Sequence, residues 1–281
     1  MSAMKRQILA LCGCPRSGTT WLHNALIEAG RFHGVPGDDS GPASRGVFVT
    51  DENQYSHALL LRLACARSGF RRLAAKLLLG VLRGALATKF AAGGDMMLKS
   101  PYYSFFADVM YRYSFAHRFL FIRRDIDSVA LSMLRHDFLS RQLAGGITQF
   151  SSMTYQGVNL ETRHVPGSIT AELVARYSIL STFDRALYKC LCFASGFAAS
   201  SAALPPRSTF VLSYDALATD LSHRRRFCEF LGLSEAQETT VISSFRGGVT
   251  RGSELPPHDP AFRREILRAD AALWNSPHSA Q

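Results

Sequence analysis

Apolar residues recur along this chain in two registers. Short unbroken runs at residues 7–12, 96–99, 118–122 and 209–213 predict four strands, and apolar positions at helical spacing predict helices over 21–29, 55–64, 73–90, 127–139 and 171–193. Ser100-Pro101 supplies a cap and a first-turn proline for a helix running to about Tyr113. Ser234 with Gln237 forms a capping box for a helix ending near Phe245. Residues 33–46, rich in Gly, Pro, Asp and Ser, read as a surface loop. Residues 140–170, with Gly145-Gly146 and Pro166-Gly167, read as an excursion or lid, and the basic tail from Arg246 reads as irregular.

Strands that alternate with helices favour an α/β fold: a mostly parallel central sheet flanked by helices, with its ligand site beyond the carboxyl ends of the strands. The 281 residues read as a single domain, 1–281, without internal repeats.

Charge narrows the partners. The formal net charge is +10, from 32 Lys and Arg against 22 Asp and Glu, which suits a protein that handles polyanions. No zinc spacing, aromatic-basic repeat or basic helical tract marks a nucleic-acid module, so nucleic acid is discounted. The six cysteines form two Cys-x-Cys pairs and two singles, which read as buried thiols in a reducing compartment. Lys76, Arg83 and Lys89 interrupt the most apolar stretch short of the ~20 residues of a membrane span. The apolar run at 8–14 is short for a signal peptide, and the expected location is cytoplasmic.

The first strand ends in Gly13-Cys14-Pro15-Arg16-Ser17-Gly18-Thr19-Thr20. Its two glycines have the gap of a Walker A loop and Thr20 takes the place of that motif's hydroxyl residue, but Thr19 replaces the lysine. Backbone amides and the positive end of the following helix make such a loop an anion site that needs no metal.

The string from Pro15 to Leu22 resembles the 5′-phosphosulfate loop of the sulfotransferase superfamily, whose donor is 3′-phosphoadenosine 5′-phosphosulfate (PAPS) and whose nucleotide product is the 3′,5′-bisphosphate (PAP). The resemblance implies a P-loop nucleotide-kinase-like sulfotransferase fold. It implies that Arg16 contacts the sulfuryl group and its bridging oxygen, that Thr19 and Thr20 hold the 5′-phosphate, and that Ser17, Gly18 and Trp21 complete the loop. A second string, Arg124 to Ser132, resembles the superfamily's 3′-phosphate motif, with the arginine leaving a strand and the serine eight residues on. Guanidinium and hydroxyl suit a phosphate, the first as a bidentate donor and the second as a directed one.

Tyr214 in Tyr214-Asp215-Ala216-Leu217 is similar to a family tyrosine beside the adenine, and Arg246 in Phe245-Arg246-Gly247-Gly248 to a C-terminal arginine on the 3′-phosphate. Lys99, just before Ser100-Pro101, resembles the family's catalytic lysine and pairs with Arg16 as the cations around the transferring group. The small-molecule branch places a histidine base two residues after that lysine, where this chain has Pro101. The branch with a Pro-Arg-Ser-Gly-Thr-Thr loop, which includes protein-tyrosine sulfotransferases, uses a glutamate between the first two motifs. Glu52 is accordingly the first candidate base, His136 the second and Asp51 a third.

The acceptor is a hydroxyl, or less readily an amine, on a small molecule, lipid or peptide. The apolar helix at 73–90 and the aromatics Tyr102, Tyr103, Phe105 and Phe106 suit either a greasy acceptor pocket or plain core. Two other functions stay open: a P-loop kinase or NTPase, and a non-catalytic sensor of adenosine bisphosphate.

Overall fold

Leu9 and Leu11 face one way along strand β1 (Ile8–Gly13), Ala10 and Cys12 face the other, and the two pairs are buried in different cores. A strand buried on both faces belongs in the middle of a layered α/β molecule, where the two-residue period of side chains feeds both layers. The computed structural model describes residues 7–33, 54–65, 69–89, 95–145, 154–155, 158–245 and 254–275.

After β1 the chain forms α1 (Thr19–Glu28), the short β2 (Phe32–His33), α2 (Gln54–Cys65), α3 (Gly69–Lys89) and β3 (Asp95–Lys99). A 3₁₀ turn at Pro101–Phe105 leads to α4 (Ala107–Arg112), β4 (Arg118–Arg123), α5 (Ile126–Leu134) and α6 (Asp137–Ala144). A small antiparallel pair, β5 (Thr154–Tyr155) and β6 (Val158–Asn159), precedes α7 (Gly167–Arg176) and α8 (Thr182–Ser201). Then come β7 (Thr209–Ser213), α9 (Ala216–Thr219), α10 (Leu221–Leu231), α11 (Glu235–Ser243) and α12 (Pro260–Trp274).

The central sheet is parallel throughout, in the order β2-β3-β1-β4-β7. One face is covered by α1, α10 and α11 around Leu22, Leu26, Phe227 and Val241, and the other by α4, α5, α8 and α12 around Met110, Val129, Phe193 and Ile266. The chain visits β3 on one side of β1 and β4 on the other. The loop after β1 therefore opens between two neighbouring strand ends, the crevice where ligands bind in open parallel sheets.

The four expected strands are present, and β2 adds a fifth at the sheet edge. The expected helix at 127–139 is two helices, because His136 adopts extended dihedrals and becomes the cap residue of α6, whose first turn carries Asp137. The expected helix at 171–193 is likewise two. Ser181 and Asp184 form a reciprocal capping box that starts α8 afresh after the turn at 177–180. Ser100 does cap the segment after β3, through Tyr102 N–H, but the first turn is 3₁₀ and Phe106 separates it from α4. The tail expected to be irregular contains α12, capped by Asp259 with Pro260 at its first position. Most of the expected loop at 33–46, and part of the excursion at 140–170, lie outside the described residues.

Candidate functional site

Gly13 and Gly18 bracket a loop that only glycine allows at those two points. A Cβ on Gly13 would lie 2.7 Å from the Ser17 hydroxyl and 2.9 Å from the Ile122 carbonyl oxygen. Gly18 has φ +107°, and a Cβ there would press on the Tyr214 ring at 3.0 Å. Arg16 also sits in the left-handed region, at φ 72°, a costly backbone state for a residue with a Cβ. That conformation goes with a contact across the crevice: Arg16 Nε donates to Ser132 Oγ on α5 at 3.3 Å.

The lysine that the loop lacks in sequence arrives from the neighbouring strand. Lys99, at the end of β3, donates from Nζ to Thr20 Oγ1 at 3.1 Å and is buried. The register explains the meeting, since Lys99 pairs with Leu11 two residues before Gly13, which brings the β3 end beside the start of α1.

On the other side, Tyr214 N–H donates to the Arg123 carbonyl at 2.7 Å and extends the β4–β7 pairing into the loops. The Arg124 guanidinium carbon lies 5.0 Å from the centre of the Tyr214 ring. Burial pushes the Tyr214 phenol above its ordinary value, and Arg124 pulls in the opposite direction. The carboxylates nearest Arg124 in sequence are engaged elsewhere: Asp125 accepts from Ser128 N–H at 2.8 Å as the cap of α5, and Asp127 pairs with Arg263 of α12. A cavity of about 300 Å³ opens beside these loops, lined by Arg123, Arg124, Asp125, Ser213, Asp215 and Asp270 among others.

Trp21 closes the far wall. Its indole N–H donates to the Ser244 carbonyl at 2.9 Å, and its ring meets Tyr214 edge-on with centroids 5.5 Å apart. Phe245 completes the cluster at 5.3 Å from Trp21 and 4.7 Å from Tyr214. The Ser17 hydroxyl is buried and has no hydrogen-bond partner among the described residues, and Ser17 with Cys14 and Arg124 lines a small cleft behind the loop. A buried hydroxyl of this kind fits an anion that accepts from it.

The structure thus brings together Arg16, Ser17, Gly18, Thr19, Thr20, Trp21, Lys99, Arg124, Ser132 and Tyr214 around four strand ends. His136 is exposed at the kink between α5 and α6. Glu52, Asp51 and Arg246 lie outside the described residues.

An ion pair behind the loop is not apparent from the sequence, whereas the thiols beside it are buried as the sequence suggested. Lys189 of α8 and Glu161 form an ion pair in which both side chains are at most 1% exposed. Burial works against the lysine's charge, but Glu161 together with Tyr102 and Cys192 outweighs it, so the Lys189 ammonium is held above its ordinary range. Cys14 and Cys192 are close enough to Lys189 to interact with its charge. Burial raises the Cys14 thiol well above its ordinary value, and its hydrogen bond with Cys190 adds to the effect. In sequence Lys189 stands next to Cys190, but nothing there points to Glu161 as its partner.

No protein-family model matches the chain, and no curated protein sequence matches it significantly. Among solved structures, it is similar to the sulfotransferase domain from the curacin biosynthetic pathway, at 16% identity and TM-score 0.47, over 98% of this chain and 92% of that one. It is also similar to a sulfotransferase from Alicyclobacillus acidocaldarius, at 16% identity and TM-score 0.46, over 96% of this chain and 93% of that one.

Proposed function

We propose that this protein is a sulfotransferase that takes its sulfuryl group from PAPS and passes it to a hydroxyl of an acceptor. The observation that carries the reading is the Arg16–Ser132 hydrogen bond, because it joins two separately recognised strings, one suited to a 5′-phosphosulfate and one to a 3′-phosphate, into a single crevice. A generic phosphate loop has no use for the second.

In this reading the amides of the loop and the hydroxyls of Ser17, Thr19 and Thr20 hold the 5′-phosphate at the start of α1. Arg124 and Ser132 hold the 3′-phosphate, and Arg246 reaches the same group. Tyr214 and Trp21 offer ring surfaces to the adenine. Arg16 and Lys99 bring positive charge to the side of the loop where negative charge accumulates as the leaving phosphate separates, an effect that is strongest in a water-poor site. Glu52 or His136 removes the acceptor's proton, and the acceptor is a small molecule, lipid or peptide.

A thermal-shift comparison tests the donor. Adenosine 3′,5′-bisphosphate without magnesium should raise the melting temperature, and ATP should not match it. Equal or greater stabilisation by Mg-ATP would overturn the reading in favour of a kinase or NTPase. Bisphosphate binding with no transfer to any phenol, alcohol or amine tried would instead leave a sensor.

A further inference from the structure

Helix α3 carries apolar side chains on two opposite sides. Ala75 and Leu79 are buried in a cluster shared with Leu60 and Leu63 of α2, which accounts for one side. On the other, Phe70, Leu73, Leu77, Leu78 and Val81 are between 51 and 80% exposed. Among the described residues these are five of the nine large hydrophobic side chains that face solvent, and they recur at the three- and four-residue spacing of a helix. This face is not the plain core that the sequence offered as one reading of the helix.

The charged residues in this stretch of sequence have one sign. Between residues 54 and 94 there are seven lysines and arginines and no aspartate or glutamate. Arg72 and Lys76 are exposed beside the apolar stripe. An apolar stripe bordered by basic residues is the composition of a helix that lies in the headgroup layer of a membrane, with its stripe among the acyl chains and its cations at the phosphates. No helix among the described residues is long and apolar enough to cross a membrane, so contact would be from the surface.

We propose that α3 docks this protein onto an anionic phospholipid surface. Charge selects this occupant over a second copy of the chain, since two such faces brought together would oppose like charges across an acid-free region. The inference is independent of the nucleotide reading.

The full-length protein is floated with vesicles of phosphatidylcholine alone or mixed with phosphatidylglycerol. It should float with the mixed vesicles only, and less at high salt. Leu73→Gln/Leu77→Gln and, separately, Arg72→Glu/Lys76→Glu should each weaken flotation at least about tenfold. All four side chains are exposed, and unchanged melting curves verify the fold of each variant. Failure of the wild-type protein to float with anionic vesicles would overturn the proposal. So would undiminished flotation of the leucine variant, or a dimer in light scattering that this variant abolishes while vesicles leave the wild type unbound.

Discussion

Lys99 Nζ lies 3.1 Å from Thr20 Oγ1, so a lysine from β3 stands beside a loop whose own sequence carries an arginine, Arg16, but no lysine. A group positioned on a strand end is held more rigidly than one on a loop, and the role proposed for Lys99 is charge stabilisation during transfer. Lys99→Met should lower turnover of the donor by about 100-fold or more while changing bisphosphate affinity little, as expected for a group that acts on developing charge. Parallel rate measurements and calorimetric titrations with the bisphosphate check this; an equal loss in both would make Lys99 a binding residue only.

Arg124 should set the preference for a 3′-phosphate. It stands over Tyr214, and Asp125 and Asp127 are committed to a helix cap and to Arg263. Arg124→Ala should lose at least about tenfold in affinity for adenosine 3′,5′-bisphosphate, the worth of a charge-assisted hydrogen bond, and much less for adenosine 5′-phosphate. Titrating both ligands measures the ratio, and equal losses would remove Arg124 from the 3′-phosphate site.

Gly196 offers a contest between two effects. Alanine in a helix interior is favoured over glycine by about 1 kcal/mol. A Cβ at Gly196, however, would lie 2.3 Å from the buried Phe105 ring on the 3₁₀ turn after Lys99. Overpacking of this kind costs about 1–3 kcal/mol, so Gly196→Ala should destabilise the protein in urea melts, and a gain in stability would show that the ring moves freely.

The cap of α12 gives a pH signature. Asp259 is held down at about 2 by the backbone N–H of Phe262, by Arg176 and by Ala261 N–H. A carboxyl whose folded value lies below its ordinary value of about 4 adds stability above that value and loses it as pH falls towards 2. Asp259→Ala should cost about 1 kcal/mol at neutral pH, as for other helix caps, and should flatten the acid limb of the stability curve between pH 4 and 2. An acid limb unchanged in the variant would assign it to other carboxylates.

The Glu161–Lys189 pair should respond asymmetrically. Removing one partner leaves a buried charge alone, so Glu161→Gln or Lys189→Met should each cost about 3–5 kcal/mol, and the double replacement by apolar residues should cost much less. Chemical denaturation of the three variants gives the coupling directly, and additive losses would show that the pair does not act as a unit.

The strand ends were legible because each is an apolar run stopped by a chemically distinct residue, as at Gly13, Lys99 and Arg124. The crevice followed from that, since parallel strands deliver whatever stands at their ends to one edge. Helix breaks were harder to read. No Gly or Pro separates α5 from α6, and the restart at Ser181 rests on a Ser-x-x-Asp box inside an otherwise continuous helical pattern. The Asp259-Pro260 start of α12 carries the same kind of signal, overshadowed by the basic and proline-rich residues ahead of it. The Glu161–Lys189 pair could not be found locally, because its partners are 28 residues apart and meet only once α8 is packed.

The Trp21–Ser244 hydrogen bond spans 223 residues of sequence. During synthesis, β1, β3 and β4 emerge long before Ser244 does, so a growing chain can present the phosphate loop while one wall of the crevice is still being made. Completion of the crevice is then a late event in the life of the chain, reserved for molecules synthesised beyond Ser244.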